Sequence, residues 1–279
     1  GVAHHLGDTM SQACFSLALG ASAVTPLELA TGYSVLANGG FKIQPYFIQR
    51  IEVGENEEPI FMAKPSVACI ECSAKLANEQ RASEKRASEK RTDTNTEHDD
   101  ISDQALLEAM NSAPAHHSAT EPTLAPRVMD ERTHYLMNNM LQDVIKRGTG
   151  KRALALQRND LAGKTGTTND QKDAWFSGYN RDLVTSVWIG FDQPKTLGRW
   201  AFGSNTALPI WVDYMGEMLA DKKQRPFSQP TGILSVRIDP ETGLQALPGQ
   251  SNAIFELFKQ EELPAATDSN DNPSANPAD

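Results

Sequence analysis

Three strand-like runs held between two long amphipathic helices constrain this chain more than any other feature. Leu161 to Thr168, Ala174 to Tyr179 and Leu183 to Phe191 are short, the last two rich in apolar residues, and Asn180-Arg181-Asp182 forms a turn between them. Connections this short join antiparallel neighbours, because a parallel crossover needs about a dozen residues or more. Upstream, Asp130 predicts the cap of a helix with apolar positions Leu136, Met137, Met140, Leu141, Val144 and Ile145 that stops at Gly148. Downstream, a helix is predicted from near Pro209, with Ile210, Trp211, Tyr214, Met215, Met218 and Leu219 on one face. An antiparallel sheet packed with helices, an α+β layering, is the arrangement that buries all of these faces.

Two earlier elements fit the same layering. Thr25-Pro26-Leu27-Glu28 has the pattern of a capping box with proline at the first helical position; the predicted helix buries Leu27, Ala30, Tyr33 and Leu36 and ends at Gly39-Gly40. Tyr46 to Val53 and Ile60 to Met62, separated by Gly54 to Pro59, read as a hairpin.

The net charge of −10 over 279 residues argues against a nucleic-acid or anionic-membrane partner, but its distribution is uneven. Residues 1–53 carry −1, residues 54–126 carry −7, residues 127–260 carry +3 and residues 261–279 carry −5. The acidic segments are also the ones poor in large apolar side chains. Within 54–126, Arg81-Ala-Ser-Glu-Lys85 repeats as Arg86-Ala-Ser-Glu-Lys90 and is followed by a polar run from Thr92 to Asp103. Residues 78–104 lack the apolar surface needed to offset ordering entropy, so an insert over 54–126, largely disordered around 78–126, is expected. The acidic tail 259–279 is expected to be disordered as well. The folded part then comprises 1–53 and 127–258. No apolar run reaches the roughly 20 residues of a membrane span, and Gly1 opens neither a signal peptide nor a start codon's methionine, so further sequence is expected upstream.

The sharpest chemical signal is Gly163-Lys164-Thr165-Gly166-Thr167-Thr168. A phosphate-binding loop of the form G-x-x-x-x-G-K-[ST] would need glycine at position 158, where Arg158 stands. The alternative is the Lys-Thr-Gly element of serine acyltransferases that react with penicillin. On an exposed edge strand, Lys164 would face a substrate carboxylate and help move protons, while Thr165 and Thr167 would offer hydroxyl donors. Gly166 would let a substrate backbone approach. A backbone N–H just after the glycine could point at a developing oxyanion. Chance alone supplies such a tripeptide on the order of 0.1 times in a chain this long, so the surrounding motifs carry the weight.

Those motifs are Leu17 to Ala30 with Tyr33 to Gly40, Asp143-Val-Ile-Lys-Arg-Gly-Thr-Gly150, Gly163 to Asp170 and Asp173-Ala-Trp-Phe-Ser-Gly-Tyr179. Val187-Trp-Ile-Gly-Phe-Asp192, Ala207-Leu-Pro-Ile-Trp211 and Ile238-Asp-Pro-Glu-Thr-Gly243 follow in order. Across residues 15–53 and 127–258 the chain resembles class A penicillin-binding proteins. The resemblance implies a transpeptidase fold, shared with serine β-lactamases, that crosslinks peptidoglycan. A serine attacks the D-alanyl-D-alanine end of a stem peptide, D-alanine leaves, and a neighbouring amine takes the acyl group; β-lactams acylate the same serine. It also implies an upstream glycosyltransferase domain and a membrane anchor, with the protein on the periplasmic face of the inner membrane, stem peptides and β-lactams as ligands, cell-wall synthesis proteins as partners, and no cofactor or metal. Carried over residue by residue, it assigns catalytic roles to Lys164 and Thr167 and substrate contact to Thr165, Gly166, Thr167 and Thr168, with the Thr167 N–H as one oxyanion donor. For Thr168, Asn169 and Asp170 a turn that shapes the strand end is an equal alternative.

The chain also departs from the family pattern. No lysine has a serine three residues before it, so there is no S-x-x-K, and the single S-x-N, Ser274-Ala275-Asn276, lies in the acidic tail. In the family both elements precede the stretch matched by Leu17 to Gly40. The transpeptidase domain is therefore expected to be incomplete, with no nucleophile in this chain, and the isolated chain to be inactive. A serine β-lactamase and a non-catalytic penicillin-recognising module are the competing readings; the Asp173 to Asp192 hairpin and the Ile238-Asp239-Pro240 element favour the synthase. Trp175 and Trp188 are expected in the core. Cys69-Ile-Glu-Cys72 is expected to form a local disulfide or two free thiols, since it lacks a second pair for zinc. His4, His5, His116 and His117 have no metal-ligand spacing.

Overall fold

A computed structural model describes residues 23–54, 58–69, 72 and 123–266. The chain divides into two units, one from residues 1–41 and 128–279 and one from residues 42–127. The tandem repeat at 81–90, the expected disorder of 78–104, His4, His5, His116 and His117, and the tail from 267 lie outside the described residues.

The larger unit is organised on a three-stranded antiparallel sheet, β3 (Ala162–Thr167), β4 (Ala174–Tyr179) and β5 (Val184–Ile189), in the order β3-β4-β5. All three strands begin and end within two residues of the runs expected from sequence, and the α+β class is borne out. The register pairs Lys164 with Ser177 and Gly166 with Trp175, and on the next ladder Trp175 with Trp188. Because side chains alternate, Lys164, Trp175, Ser177 and Trp188 share one face, while Thr165, Thr167 and Phe176 belong to the other.

Helix α3 (Ala207–Met218) packs on the Phe176 face. Trp211 meets Phe176 edge to face at 4.9 Å between ring centroids and donates its indole N–H to the Thr185 carbonyl at 3.2 Å. Gly178 makes this approach possible: a Cβ there would sit 2.6 Å from Trp211 Cζ2. The buried stripe of α3 is Leu208, Trp211, Val212 and Met215, continued by Leu219, whereas Ile210, Tyr214 and Met218 are exposed. The sequence placed those three on the buried face. Apolar residues at i, i+1, i+4 and i+5 make a band wider than the sheet can cover, and only one edge of it is buried.

Helices α1 (Pro26–Ala37) and α2 (Glu131–Lys146) belong to the opposite layer. The α1 N-terminus carries the complete capping box: Thr25 Oγ1 accepts from Glu28 N–H, and Glu28 Oε2 accepts from Thr25 N–H at 2.8 Å. Tyr33, Leu36 and Ala37 of α1 and Leu141 of α2 pack with Ala162, Tyr179 and Val184 of the sheet, but Leu27 is exposed.

The stripe that α2 buries is polar, contrary to the sequence expectation. His134, Asn138, Gln142 and Ile145 are buried, and Met137 and Met140 face out. Each buried polar group has a partner: the His134 ring Nε2 lies 2.7 Å from the Leu36 carbonyl, Asn138 Oδ1 accepts the Tyr179 hydroxyl at 3.1 Å, and Gln142 donates to the Asn159 carbonyl at 3.4 Å. Polar residues at i, i+4 and i+8 are invisible to a search for apolar periodicity.

A second antiparallel pair, β6 (Ile233–Ile238) and β7 (Ile254–Lys259), was not anticipated as strands. Arg147 at the end of α2 donates to Glu256 of β7 at 2.8 Å, and Arg132 near its start donates to Glu261 at 2.8 Å. Regular structure therefore continues past 258, through a 3₁₀ turn at Gln260–Glu262. In the smaller unit, β1 (Arg50–Ile51) and β2 (Phe61–Met62) pair antiparallel, a hairpin shorter than predicted, and Val67 bridges Leu124 in parallel. Cys69 and Cys72 form the local disulfide.

Candidate active site

Among the described residues one edge of β3 is unpaired, and it lines an open groove of about 1070 Å³. Lys164, Thr165, Gly166, Thr167 and Thr168 all line it, so the five residues singled out from sequence are brought together. The entry to α1, through Val24 and the N-cap Thr25, and its first turns, through Pro26, Leu29 and Tyr33, form another part of the wall. The β3–β4 turn and the Trp175–Trp188 pair complete it.

The Lys164 side chain is exposed and donates to the Thr165 carbonyl at 3.0 Å. Among the described residues no carboxylate lies within ion-pair distance of it, which leaves its charge for an anion entering the groove. Gly166 sits against Trp175; a Cβ there would approach Trp175 Cβ to 3.1 Å. Thr167 Oγ1 accepts the N–H of Gly203 at 3.1 Å, and Thr165 Oγ1 lies 2.8 Å from Thr149 Oγ1.

The β3–β4 turn is closed by Asp173. Thr168 Oγ1 accepts Asp173 N–H at 2.8 Å and donates to Asp173 Oδ2 at 3.2 Å, while Asp173 Oδ1 accepts the Trp188 indole N–H at 2.9 Å. Asp170 and Gln171 complete the bend with positive φ values of 59° and 50°. Thr168 thus both borders the groove and fixes the turn.

Trp175 and Trp188 are not core aromatics. Their rings meet tilted by 37° at 6.1 Å between centroids on the groove side, and Trp188 is 38% exposed. They share their sheet face with Ala162, Tyr179 and Val184, which α1 and α2 cover, but lie toward the other end of the strands, where among the described residues they border the groove. Sequence reasoning also missed Tyr33, Thr149, Asp173 and Gly203. Thr149 and Asp173 lie in motifs visible in the sequence, yet nothing in their spacing indicated what they would touch. Burial pushes the pKa of Tyr33 above its ordinary value, and burial together with neighbouring Tyr33 raises that of Tyr179, so both hydroxyls keep their protons at neutral pH. Among the described residues no cluster of His, Cys, Asp and Glu is placed to hold a metal.

Residues 3–215 match the penicillin binding protein transpeptidase domain. The chain belongs to this family. It is 53% identical over 250 residues to penicillin-binding protein 1A of Pseudomonas aeruginosa, covering 90% of this chain and 29% of that protein. It is 36% identical over 274 residues to penicillin-binding protein 1A of Escherichia coli K12, covering 86% of this chain and 31% of that one. The 2.6 Å crystal structure of penicillin-binding protein 1A from Haemophilus influenzae superposes with a TM-score of 0.67 at 34% identity, over 90% of this chain and 34% of the other. The transpeptidase family chain therefore spans about a third of the length of these relatives. Among its described residues no helix is long and apolar enough to cross a membrane.

Proposed function

We propose that the protein to which these residues belong crosslinks peptidoglycan as a D,D-transpeptidase, and that this chain supplies the carboxylate-recognising wall of its active site. The observation that carries the reading is the Lys164-Thr165-Gly166-Thr167 strand, free-edged along a groove large enough for a peptide terminus. The attacking serine and its base come from outside these residues, since the chain contains no S-x-x-K.

The terminal carboxylate of a stem peptide lies against the Lys164 ammonium and accepts from the Thr165 and Thr167 hydroxyls. Ordered backbone on the free edge of β3 aligns the peptide, and Gly166 leaves room for it. When the serine adds to the carbonyl of the penultimate D-alanine, negative charge collects on that oxygen, and the Thr167 N–H donates to it. The serine proton passes to the departing nitrogen as the C–N bond breaks and D-alanine leaves. An amine of a second stem peptide then attacks the ester; as its N–C bond forms, the C–O bond to the serine breaks and the amine's proton passes to the serine oxygen, so that one peptide bond replaces another. A β-lactam carries a comparable carboxylate and enters the same groove. The protein acts on the periplasmic side of the inner membrane, held by an anchor outside these residues and working with other cell-wall synthesis proteins.

Labelling with a fluorescent penicillin tests the reading. In the full-length protein, Lys164→Ala should slow acylation by about 10–10²-fold, the worth of one charge-assisted contact of roughly 1.5–3 kcal/mol. The 279-residue chain alone should form no covalent adduct. Unchanged acylation in the lysine variant would overturn the role of Lys164; an adduct on the isolated chain would overturn the placement of the nucleophile.

A further inference from the structure

The two threonine hydroxyls on the β3 edge are each held by a group from outside the strand. Thr167 Oγ1 receives the Gly203 N–H. A hydroxyl has one proton to donate, so with an acceptor position filled by Gly203 the Thr167 proton is left for the groove. Thr165 Oγ1 instead meets another hydroxyl, Thr149 Oγ1, at 2.8 Å. One of these two oxygens donates to the other, and a carboxylate, which only accepts, decides which. With a carboxylate beside Lys164, Thr165 donates into the groove and Thr149 donates to Thr165. The charge at the end of this short chain strengthens both links.

Thr149 is also firmly seated. It lies between two glycines folded onto the end of α2: Gly148 N–H donates to the Asp143 carbonyl at 2.9 Å and Gly150 N–H to the Val144 carbonyl at 2.8 Å. A Cβ at Gly148 would come within 2.9 Å of Val144 Cα and carbonyl oxygen, and one at Gly150 within 3.1 Å of the same oxygen. Both neighbours therefore press flat against α2, while Thr149 itself is exposed and reaches β3. Arg147, paired with Glu256 at 2.8 Å, secures the same turn to β7.

We propose that Thr149 is a positioning residue of the transpeptidase: its hydroxyl orients that of Thr165, and so tunes the groove for a substrate that ends in a carboxylate and not in a neutral group. The inference rests on the function proposed above. Its test compares acylation of the full-length protein by benzylpenicillin and by benzylpenicillin methyl ester, followed by intact mass over a time course long enough to read the slow ester. Thr149→Val keeps the shape and removes the hydroxyl. It should lower the carboxylate-to-ester rate ratio by about 3–10-fold, the worth of one ordinary hydrogen bond, because the uncharged ester accepts from Thr165 more weakly and is slowed less. Thr149→Ser should restore the ratio. An equal slowing of both compounds, which a merely structural role would produce, or a ratio unaffected by Thr149→Val, would overturn the proposal. A wild-type protein that forms no adduct with either compound would instead overturn the function on which it rests.

Discussion

Replacing Asp160 by asparagine should cost the chain about 3–5 kcal/mol, the loss expected when one partner of a buried ion pair is removed. The carboxylate side chain has no exposed surface and that of Arg158 only 8%. Arg158 grips it with two parallel bonds, Nε to Oδ1 at 2.9 Å and Nη2 to Oδ2 at 2.8 Å. The same guanidinium donates to the carbonyls of Leu219 at 3.2 Å and Lys222 at 2.7 Å, clipping the end of α3 to the start of β3. Asp160 Oδ2 also accepts from Arg225 N–H at 3.0 Å and from Asn180 Nδ2 at 3.3 Å. An asparagine NH₂ would point a donor into this set of donors and leave a buried cation without its counter-charge. Urea unfolding of the chain, followed by tryptophan fluorescence, reads the change, and the matching drop in Tm is about 6–20 °C at roughly 2–4 °C per kcal/mol. A loss below about 1 kcal/mol, the worth of an exposed pair, would refute the reasoning. Acid gives a second reading. Burial raises the Asp160 pKa, but the bonds from Arg158, Arg225 and Asn180 together outweigh it and leave the carboxyl below its ordinary value. The folded chain thus holds this proton less readily than the unfolded one. The contribution is complete above pH about 4, where the unfolded carboxyl is ionised. It is lost as pH falls from there through the depressed folded value, so the gap between wild type and Asp160→Asn should narrow only in that acidic window.

Two further substitutions probe separate parts of the fold. Gly178→Ala should destabilise by about 1–3 kcal/mol through overpacking, since its Cβ would fall 2.6 Å from Trp211 Cζ2 and 2.9 Å from Phe176 Cε1; thermal unfolding checks this, and no change in Tm would mean that α3 shifts freely. Thr25→Ala removes one half of the capping box and should cost about 0.5–2 kcal/mol of stability in the same assay, with Thr25→Ser recovering most of it.

Much of this architecture is legible in the sequence where a local rule suffices. Thr25 and Asp130 name their own helices, because a cap acts within a few residues, and short runs joined by short turns between the two long helices specify β3 to β5. The Lys-Thr-Gly-Thr strand is legible for the same reason, its function residing in consecutive positions. What escaped depends on contacts distant in the chain. The inward stripe of α2 is polar because Leu36, Tyr179 and Asn159 offer partners, and nothing near His134 announces them. Trp175 and Trp188 border the groove because, among the described residues, no element covers that part of the sheet, although their composition favours a core. Thr149 meets Thr165 only because two glycines turn the chain back at the end of α2.

That polar stripe has a consequence for precision. An apolar helix face can rotate or slide by a fraction of a turn at modest cost, since one methyl contact replaces another. A face built from His134, Asn138 and Gln142 admits a single setting, because any displacement strands several buried donors and acceptors at about 1–3 kcal/mol each. Helix α2 therefore behaves as a gauge: its inner surface fixes where its last turn ends, and the turn that follows carries Thr149. Substituting these three residues by well-fitting apolar ones would leave the helix docked yet let its end wander, and the few tenths of an ångström by which a hydroxyl meets or misses Thr165 would no longer be specified.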